Sequence, residues 1–232
     1  MVRLCLKSVL GLLVALGLTS SAGAGPVNLI SNGDFESGNT LFASDYNFSP
    51  ASNPTERQYA VLTNPFPWNP NFISTGDHTT GSGQMFVGNG SGNTSDKVWY
   101  TNSVAVSTNT DYYFEAFVMN VDDTTKYPPG ANPQTFSILS FYANGMLLGT
   151  RTTNNLGIWE GLSTTWNSVA STTVDLVLMN ANDYVEGNDF AIDDIYLGVT
   201  STVPATPEPS TMVLALLGGV GAVLARRRRS KV

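Results

Sequence analysis

The sequence predicts an all-β domain of the jelly-roll β-sandwich class, set between two apolar termini. Three observations predict it. Short runs rich in β-branched and aromatic residues alternate apolar with polar positions, the period of half-buried strands. Clusters of Gly, Ser, Thr, Asn and Pro separate those runs, and helical periodicity is absent from residues 26 to 199. Eight or more short strands without helices bury their apolar faces by stacking two sheets. Residues 25–200 have a length suited to one domain, and no internal repeat divides them.

The first element, residues 1–24, reads as a secretion signal. Arg3 and Lys7 precede an uncharged apolar run from Ser8 to Leu18, and Ala22-Gly-Ala24 supplies the A-x-A pattern of a cleavage site. Cleavage is expected after Ala24. The run is short for a retained anchor, since a span needs about 20 apolar residues.

The strands follow. Val27-Asn-Leu29-Ile is expected to be the first, with Phe86-Val87 and Val98-Trp-Tyr100 after it. Thr110 to Asn120 is the longest run, placing Tyr112, Phe114, Ala116 and Val118 on one face and Tyr113, Glu115, Phe117 and Met119 on the other. Phe136 to Tyr142 leads through Asn144-Gly145 to Met146-Leu-Leu148, a hairpin signal. Thr173 to Met179 and Phe190 to Leu197 complete the set. Residues 37–82 read as long loops, the usual carriers of binding residues on a rigid sandwich.

The far end is a Pro-rich linker, residues 201–209, containing Pro207-Glu208-Pro209; then an apolar segment, residues 210–225, expected to be a transmembrane helix; then a basic end, residues 226–232, with Arg226, Arg227, Arg228 and Arg229. An apolar segment closed by cations is a stop-transfer arrangement with its positive end in the cytoplasm. The span is marginally short and calls for a tilted or thinned fit.

Charge narrows the function classes. The chain has 11 Lys+Arg and 18 Asp+Glu. Setting the two ends aside leaves Arg57, Lys97, Lys126 and Arg151 against all the acids but Glu208, a strongly negative middle. Such a surface repels nucleic-acid phosphates and attracts cations; no nucleic-acid partner is expected. The single cysteine, Cys5, lies in the signal. The remainder can form no disulfide, thiolate metal site or cysteine nucleophile.

The order Pro207-Glu208-Pro209, apolar helix, arginine cluster resembles the PEP-CTERM sorting signal. That resemblance implies recognition by an exosortase in the inner membrane of a Gram-negative bacterium, a transient stay in that membrane, and delivery to the cell surface or extracellular matrix. A plain C-terminal anchor is the simpler alternative. Within the domain, Asn28-Leu-Ile-Ser-Asn32-Gly33-Asp34-Phe35-Glu36 and Gly187-Asn188-Asp189-Phe190-Ala-Ile192-Asp193-Asp194-Ile195 resemble the opening and closing strands of galactose-binding-like jelly rolls. Gly83 to Gly90 and Trp159 resemble two further features of that pattern. These folds include carbohydrate-binding modules of bacterial glycosidases.

The same resemblance implies a structural calcium ion (Ca2+) where first and last strands meet. Glu36 and Asp193 are the expected ligands, joined by Asp34 or the Gly33 carbonyl and by Asp77; oxygen-rich carboxylate sites suit this ion. Turn-capping acids facing water are the alternative. For carbohydrate, the loop aromatics Trp68, Tyr59 and Tyr184 are the candidate stacking residues, while Trp99, Trp159 and Trp166 are expected in the core.

Catalysis is not expected. Adjacent Asp193 and Asp194 should point to opposite faces of a regular strand, a poor acid–base pair. The one histidine, His78, cannot build a multi-histidine zinc site, and no nucleophile elbow or phosphate loop is present. The expected role is a non-enzymatic surface or matrix protein that binds carbohydrate, such as an exopolysaccharide. A structural or adhesive component that binds other proteins, and a small glycoside hydrolase or lyase, are the alternatives.

Overall fold

The computed structural model describes residues 26–126 and 135–203. The expected signal, sorting helix and basic end lie outside these residues, as does the Pro-Glu-Pro motif. No helix among the described residues is long and apolar enough to cross a membrane.

Ten strands are present among the described residues: β1 (Asn47–Phe48), β2 (Gln58–Leu62), β3 (Met85–Asn89), β4 (Lys97–Ala105), β5 (Asp111–Asn120), β6 (Ile138–Ala143), β7 (Met146–Thr152), β8 (Glu160–Asn167), β9 (Thr173–Asn180) and β10 (Phe190–Gly198). They form a six-stranded sheet, β1-β2-β3-β10-β5-β8, and a four-stranded sheet, β4-β9-β6-β7. Apart from the two-residue parallel pair β1–β2, the paired strands run antiparallel. The fold is an all-β jelly-roll sandwich.

Alternation builds the core between the sheets. Tyr112, Phe114, Ala116 and Val118 of β5 face Leu139, Phe141 and Ala143 of β6 and Val174, Leu176 and Leu178 of β9, all buried. Each Val, Leu or Phe among them contributes about 1.5–3 kcal/mol when removed from water. The hairpin β6–β7 turns on Asn144 (φ 48°) and Gly145 (φ 76°), the paired positive angles that suit the right-handed twist of its strands.

A second apolar cluster lies on the outer face of the six-stranded sheet. Ala60, Met85, Val87, Met119 and Ala191 are covered there by Trp68 and Phe72 from the long β2–β3 connection. One sandwich face is therefore roofed by its own loop.

Three elements depart from expectation. Residues 27–30 form no strand: Asn28 ties the segment to β10 instead, its Nδ2 donating to the Ile195 carbonyl (2.8 Å) and its Oδ1 accepting from Leu197 N–H (3.0 Å). Strand β2 lies within the stretch read as loop, because five residues between Arg57 and the Asn64-Pro65 break are a weak alternation signal. Strand β8 alternates Thr and Ser with Leu162 and Trp166, so its polar composition hides it. Ser201, Thr202 and Val203, at the start of the expected linker, pack on the domain through Glu115.

Candidate functional site

Strand β10 positions the acidic corner. Its register against β5 is broken between Asp193 and Tyr196, and Asp194 takes φ 50°. This is a β-bulge, which bends a strand and re-aims its side chains. Ile192 and Ile195 both stay in the inter-sheet core, so the extra residue falls on the outer side. The expectation that Asp193 and Asp194 point to opposite faces is thereby corrected. Both carboxylates reach the same residue: Asp193 Oδ2 accepts from the backbone N–H of His78 (2.9 Å), and Asp194 Oδ2 pairs with its Nδ1 (2.6 Å).

His78 is packed and bonded. Its ring stacks on Phe117 with centroids 3.5 Å apart and planes 14° from parallel, and Trp159 meets it edge-on at 5.9 Å. Thr79 donates its hydroxyl to the same Asp194 oxygen, at 2.5 Å. The pair borders a cleft of about 730 Å³ that Asn32, Asp34, Phe117, Tyr196 and Thr202 also line.

The acids expected to hold calcium gather nearby. Asp77 precedes His78 in the chain and is buried. Glu36 Oε1 accepts from Gln84 N–H (2.7 Å), while Asp77 Oδ1 accepts from Gly83 N–H (2.7 Å) and its Oδ2 from Thr80 N–H (2.8 Å). A Cβ on Gly83 would lie 2.2 Å from Glu36 Oε1 and 3.1 Å from Asp77 Oδ2, so both carboxylates crowd one α-carbon. Asp34 sits to one side, exposed, its Oδ1 accepting weakly from Glu36 N–H at 3.4 Å.

The donor set is oxygen-only, as calcium requires, yet each of these carboxylates is turned to backbone N–H groups. Among the described residues no three His, Cys, Asp or Glu side chains are placed to share a metal ion. Burial, with the Asp194 and Asp77 charges adding to it, raises the Asp193 pKa to about 8. Burial opposes ionisation of Asp77 too, but its bonds from Thr80 and Gly83 outweigh that and hold its pKa below the usual carboxylate range.

The aromatic residues chosen from sequence require correction. Trp68 is 2% exposed: its Nε1 donates to the Ser49 carbonyl (2.8 Å) and its ring packs by Phe72. Tyr59 is 5% exposed; its ring stacks on Phe86 at 4.7 Å and its hydroxyl donates to Asn39 Oδ1. Tyr59 lies on β2 and faces the core between the sheets, while Trp68 is buried because the β2–β3 connection folds back over the outer face. Tyr184 is 50% exposed and lies on the surface. Trp99 and Trp166 are buried as expected, and Trp159 is partly buried, its Nε1 reaching the Gly76 carbonyl.

Sequence reasoning missed the outer face of the four-stranded sheet. Tyr100 and Tyr142 both pair with Val177, and Leu147 pairs with Tyr142 on the other side. Because Leu176 and Leu178 point into the core, Val177 and its partners point out. The two tyrosines stand two strand steps apart, about 9.5 Å at the backbone. Lys97 Nζ rests 4.8 Å from the Tyr100 ring centroid, a cation–π contact. Beside them is a cleft of about 310 Å³ lined by Lys97, Asn102, Tyr142, Asn144, Asp175 and Met179. The signal that could have found this row is an aromatic on the polar phase of the alternation, next to buried Trp99 and Phe141.

No curated protein matches the sequence. Among solved structures, the chain is similar to the EclA C-terminal domain, a sugar-binding protein, at 15% identity and TM-score 0.36, covering 44% of this chain and 66% of that one, just under two-thirds. It is similar to the CBM22-1 xylan-binding domain of Paenibacillus barcinonensis Xyn10C at 14% identity and TM-score 0.46, covering 78% of this chain and 100% of that one. A cyclase from Fischerella sp. TAU follows at 13% identity and TM-score 0.45, covering 74% and 98%. Residues 205–229 match the PEP-CTERM protein-sorting motif. The chain joins a β-sandwich domain to a C-terminal segment that matches the PEP-CTERM motif, a signal implying sorting by an exosortase.

Proposed function

We propose that this protein is a non-enzymatic surface or matrix component that binds carbohydrate on the open face of the four-stranded sheet. The observation that carries this reading is the cross-strand row Tyr100–Val177–Tyr142, flanked by Lys97, Asn102 and Asp175. Aromatic faces cover the apolar face of a pyranose ring, and amide, ammonium and carboxylate groups around them take its hydroxyls. Two half-buried tyrosines bordered by Lys97, Asn102 and Asp175 suit a hydroxyl-rich polymer better than the large apolar patch that protein adhesion uses.

The test is binding of the purified domain to a glycan array and to bacterial exopolysaccharide. Binding is expected, with Tyr100→Ala and Tyr142→Ala each weakening it about tenfold, or 1.4 kcal/mol. Wild-type binding unaffected by either substitution would remove the open face from the account.

We further propose that calcium supports the corner formed by Glu36, Asp77 and Asp193, and leaves Asp34 as an outlying acid. A melting scan in chelator, repeated with calcium restored, is expected to raise Tm on addition. An unchanged Tm would sink the ion.

A second reading has one observation in its favour. His78 Nδ1 on Asp194 at 2.6 Å leaves Nε2 as a proton acceptor beside a cleft, the orienting half of a general-base pair. Under that reading the protein is a small hydrolase, and His78→Ala abolishes release of reducing ends or acyl groups from the bound glycan. Under the favoured reading neither product forms in the wild type.

A further inference from the structure

Glu115 stands apart from both sites. It is fully buried on the outer side of β5, and among the described residues no cation pairs with it. Five donors serve its carboxylate instead: the hydroxyls of Ser163, Ser201 and Thr202, and the backbone N–H groups of Thr202 and Val203. The Thr202 bonds measure 2.7 Å from N–H and 2.6 Å from Oγ1. Only Ser163 belongs to the sheet; the other four donors come from the segment that leads out of the domain. Two further contacts fix that segment. Tyr196 donates its hydroxyl to the Thr200 carbonyl at 2.7 Å, and the Val203 methyls lie over Gly161, 3.4 and 3.5 Å from where its Cβ would be.

A buried carboxylate without donors is strongly destabilising. Here its satisfaction depends on three consecutive residues, and the sorting motif begins two residues after the last of them, at residue 205. From Val203 to Ser210, where the apolar run begins, the chain can extend at most about 24 Å. Pro204, Pro207 and Pro209 interrupt that stretch and fix φ at each position.

We infer that Glu115 is a clamp for the root of the sorting tail, so that the tail leaves from the outer face of the six-stranded sheet and the four-stranded sheet faces away from the membrane while the protein is held there. The short reach keeps the domain near the bilayer, and the clamp decides which side it turns toward it. The surface lying against the lipid headgroups is then the outer side of β5 and β8. Orientation by this clamp is independent of what the opposite face binds.

The test uses the full chain in liposomes, where the lone cysteine, Cys5, is replaced by serine. A dye is placed on a single new cysteine at exposed Thr165, on the clamp side, or at exposed Asn102, on the open side. Quenching by spin-labelled headgroups is expected to be several-fold stronger for Thr165→Cys than for Asn102→Cys. In the wild type, the Thr202 and Val203 amides are expected to exchange hydrogen at least tenfold more slowly than in a peptide of residues 199–205. Glu115→Gln should accelerate that exchange and equalise the two labels. Equal quenching in the wild type, or peptide-like exchange at Thr202, overturns the inference. Both readouts come from the unmutated clamp, so the outcome stands even where Glu115→Gln fails to fold.

Discussion

The two outer faces of the sandwich start from the same alternation and end differently. On the six-stranded sheet, the outward positions Met85, Val87, Met119 and Ala191 are apolar, and Trp68 and Phe72 cover them; Glu115 and Asp193 among them are buried and bonded by other segments. On the four-stranded sheet, the outward positions Tyr100, Tyr142, Val177 and Met179 remain partly exposed. The difference lies in the connections. The β2–β3 connection is long enough to fold back across its sheet and the chain's exit crosses the same side, whereas β6 and β7 are joined by a two-residue turn. Among the described residues, the outward aromatics of the four-stranded sheet stay half-exposed and open to a ligand.

The comparison breaks most visibly at Trp68. Trp68→Ala should cost about 3–5 kcal/mol, the usual range for an aromatic removed from a packed site, and lower the denaturant midpoint accordingly. Tyr142→Ala on the open face should change stability by less than about 1 kcal/mol. Equal losses at the two positions would mean that the open face is also structural.

A pH series probes the covered face more finely. Burial raises the Asp193 pKa to about 8 in the folded chain, against an ordinary carboxyl value of 3.8. Between those values the folded state binds more protons than the unfolded one, so stability contributed here falls as pH rises through the window. Asp189, raised to about 8 by burial and by the charges of Asp122 and Glu56, adds to the same decline. Glu115 acts oppositely: burial opposes its charge, but the hydroxyls of Ser163, Ser201 and Thr202 prevail and hold its pKa low, so its stabilisation is present at neutral pH and lost in acid. Thermal melts from pH 5 to 8 in chelator should show a falling Tm that Asp193→Asn flattens in part. With calcium the fall should shrink in the wild type and not in the variant. A slope indifferent to Asp193→Asn would detach this acid from the pH response.

The strands were legible where alternation is regular and bracketed by turns, as in β5, β9 and the Asn144-Gly145 hairpin. The PEP-CTERM motif was legible because sorting signals are read as linear order, without folding. What stayed hidden depends on long-range packing. The bulge at Asp194 exists because β10 must return Ile195 to the core, a demand that two adjacent aspartates do not announce. Trp68 between prolines reads as an exposed loop residue, since nothing local says that the loop lies down on a sheet. The His78–Asp194 pair joins positions 116 residues apart. The tyrosine row needs the register of three strands to become a row at all.

Ligand affinity sharpens the contrast at a smaller scale. Tyr142→Ala should weaken glycan binding about tenfold, while Trp68→Phe, which retains a buried aromatic, leaves affinity unchanged. Isothermal titration of both variants checks this; a large loss in Trp68→Phe would join the two faces energetically.

The smallest effect is expected at Tyr184. It is exposed and lies outside both the open-face row and the cleft beside His78. Its backbone N–H donates to Asn182 Oδ1 at 2.9 Å, a turn contact that survives removal of the ring. Tyr184→Ala should therefore leave stability within about 0.5 kcal/mol of the wild type and leave glycan affinity unchanged. Paired melts and titrations of the same preparation measure both. A tenfold loss of affinity with stability intact would move the carbohydrate site from the open sheet to the loop that carries Tyr184, since exposure alone would then outweigh the ordered spacing of Tyr100 and Tyr142.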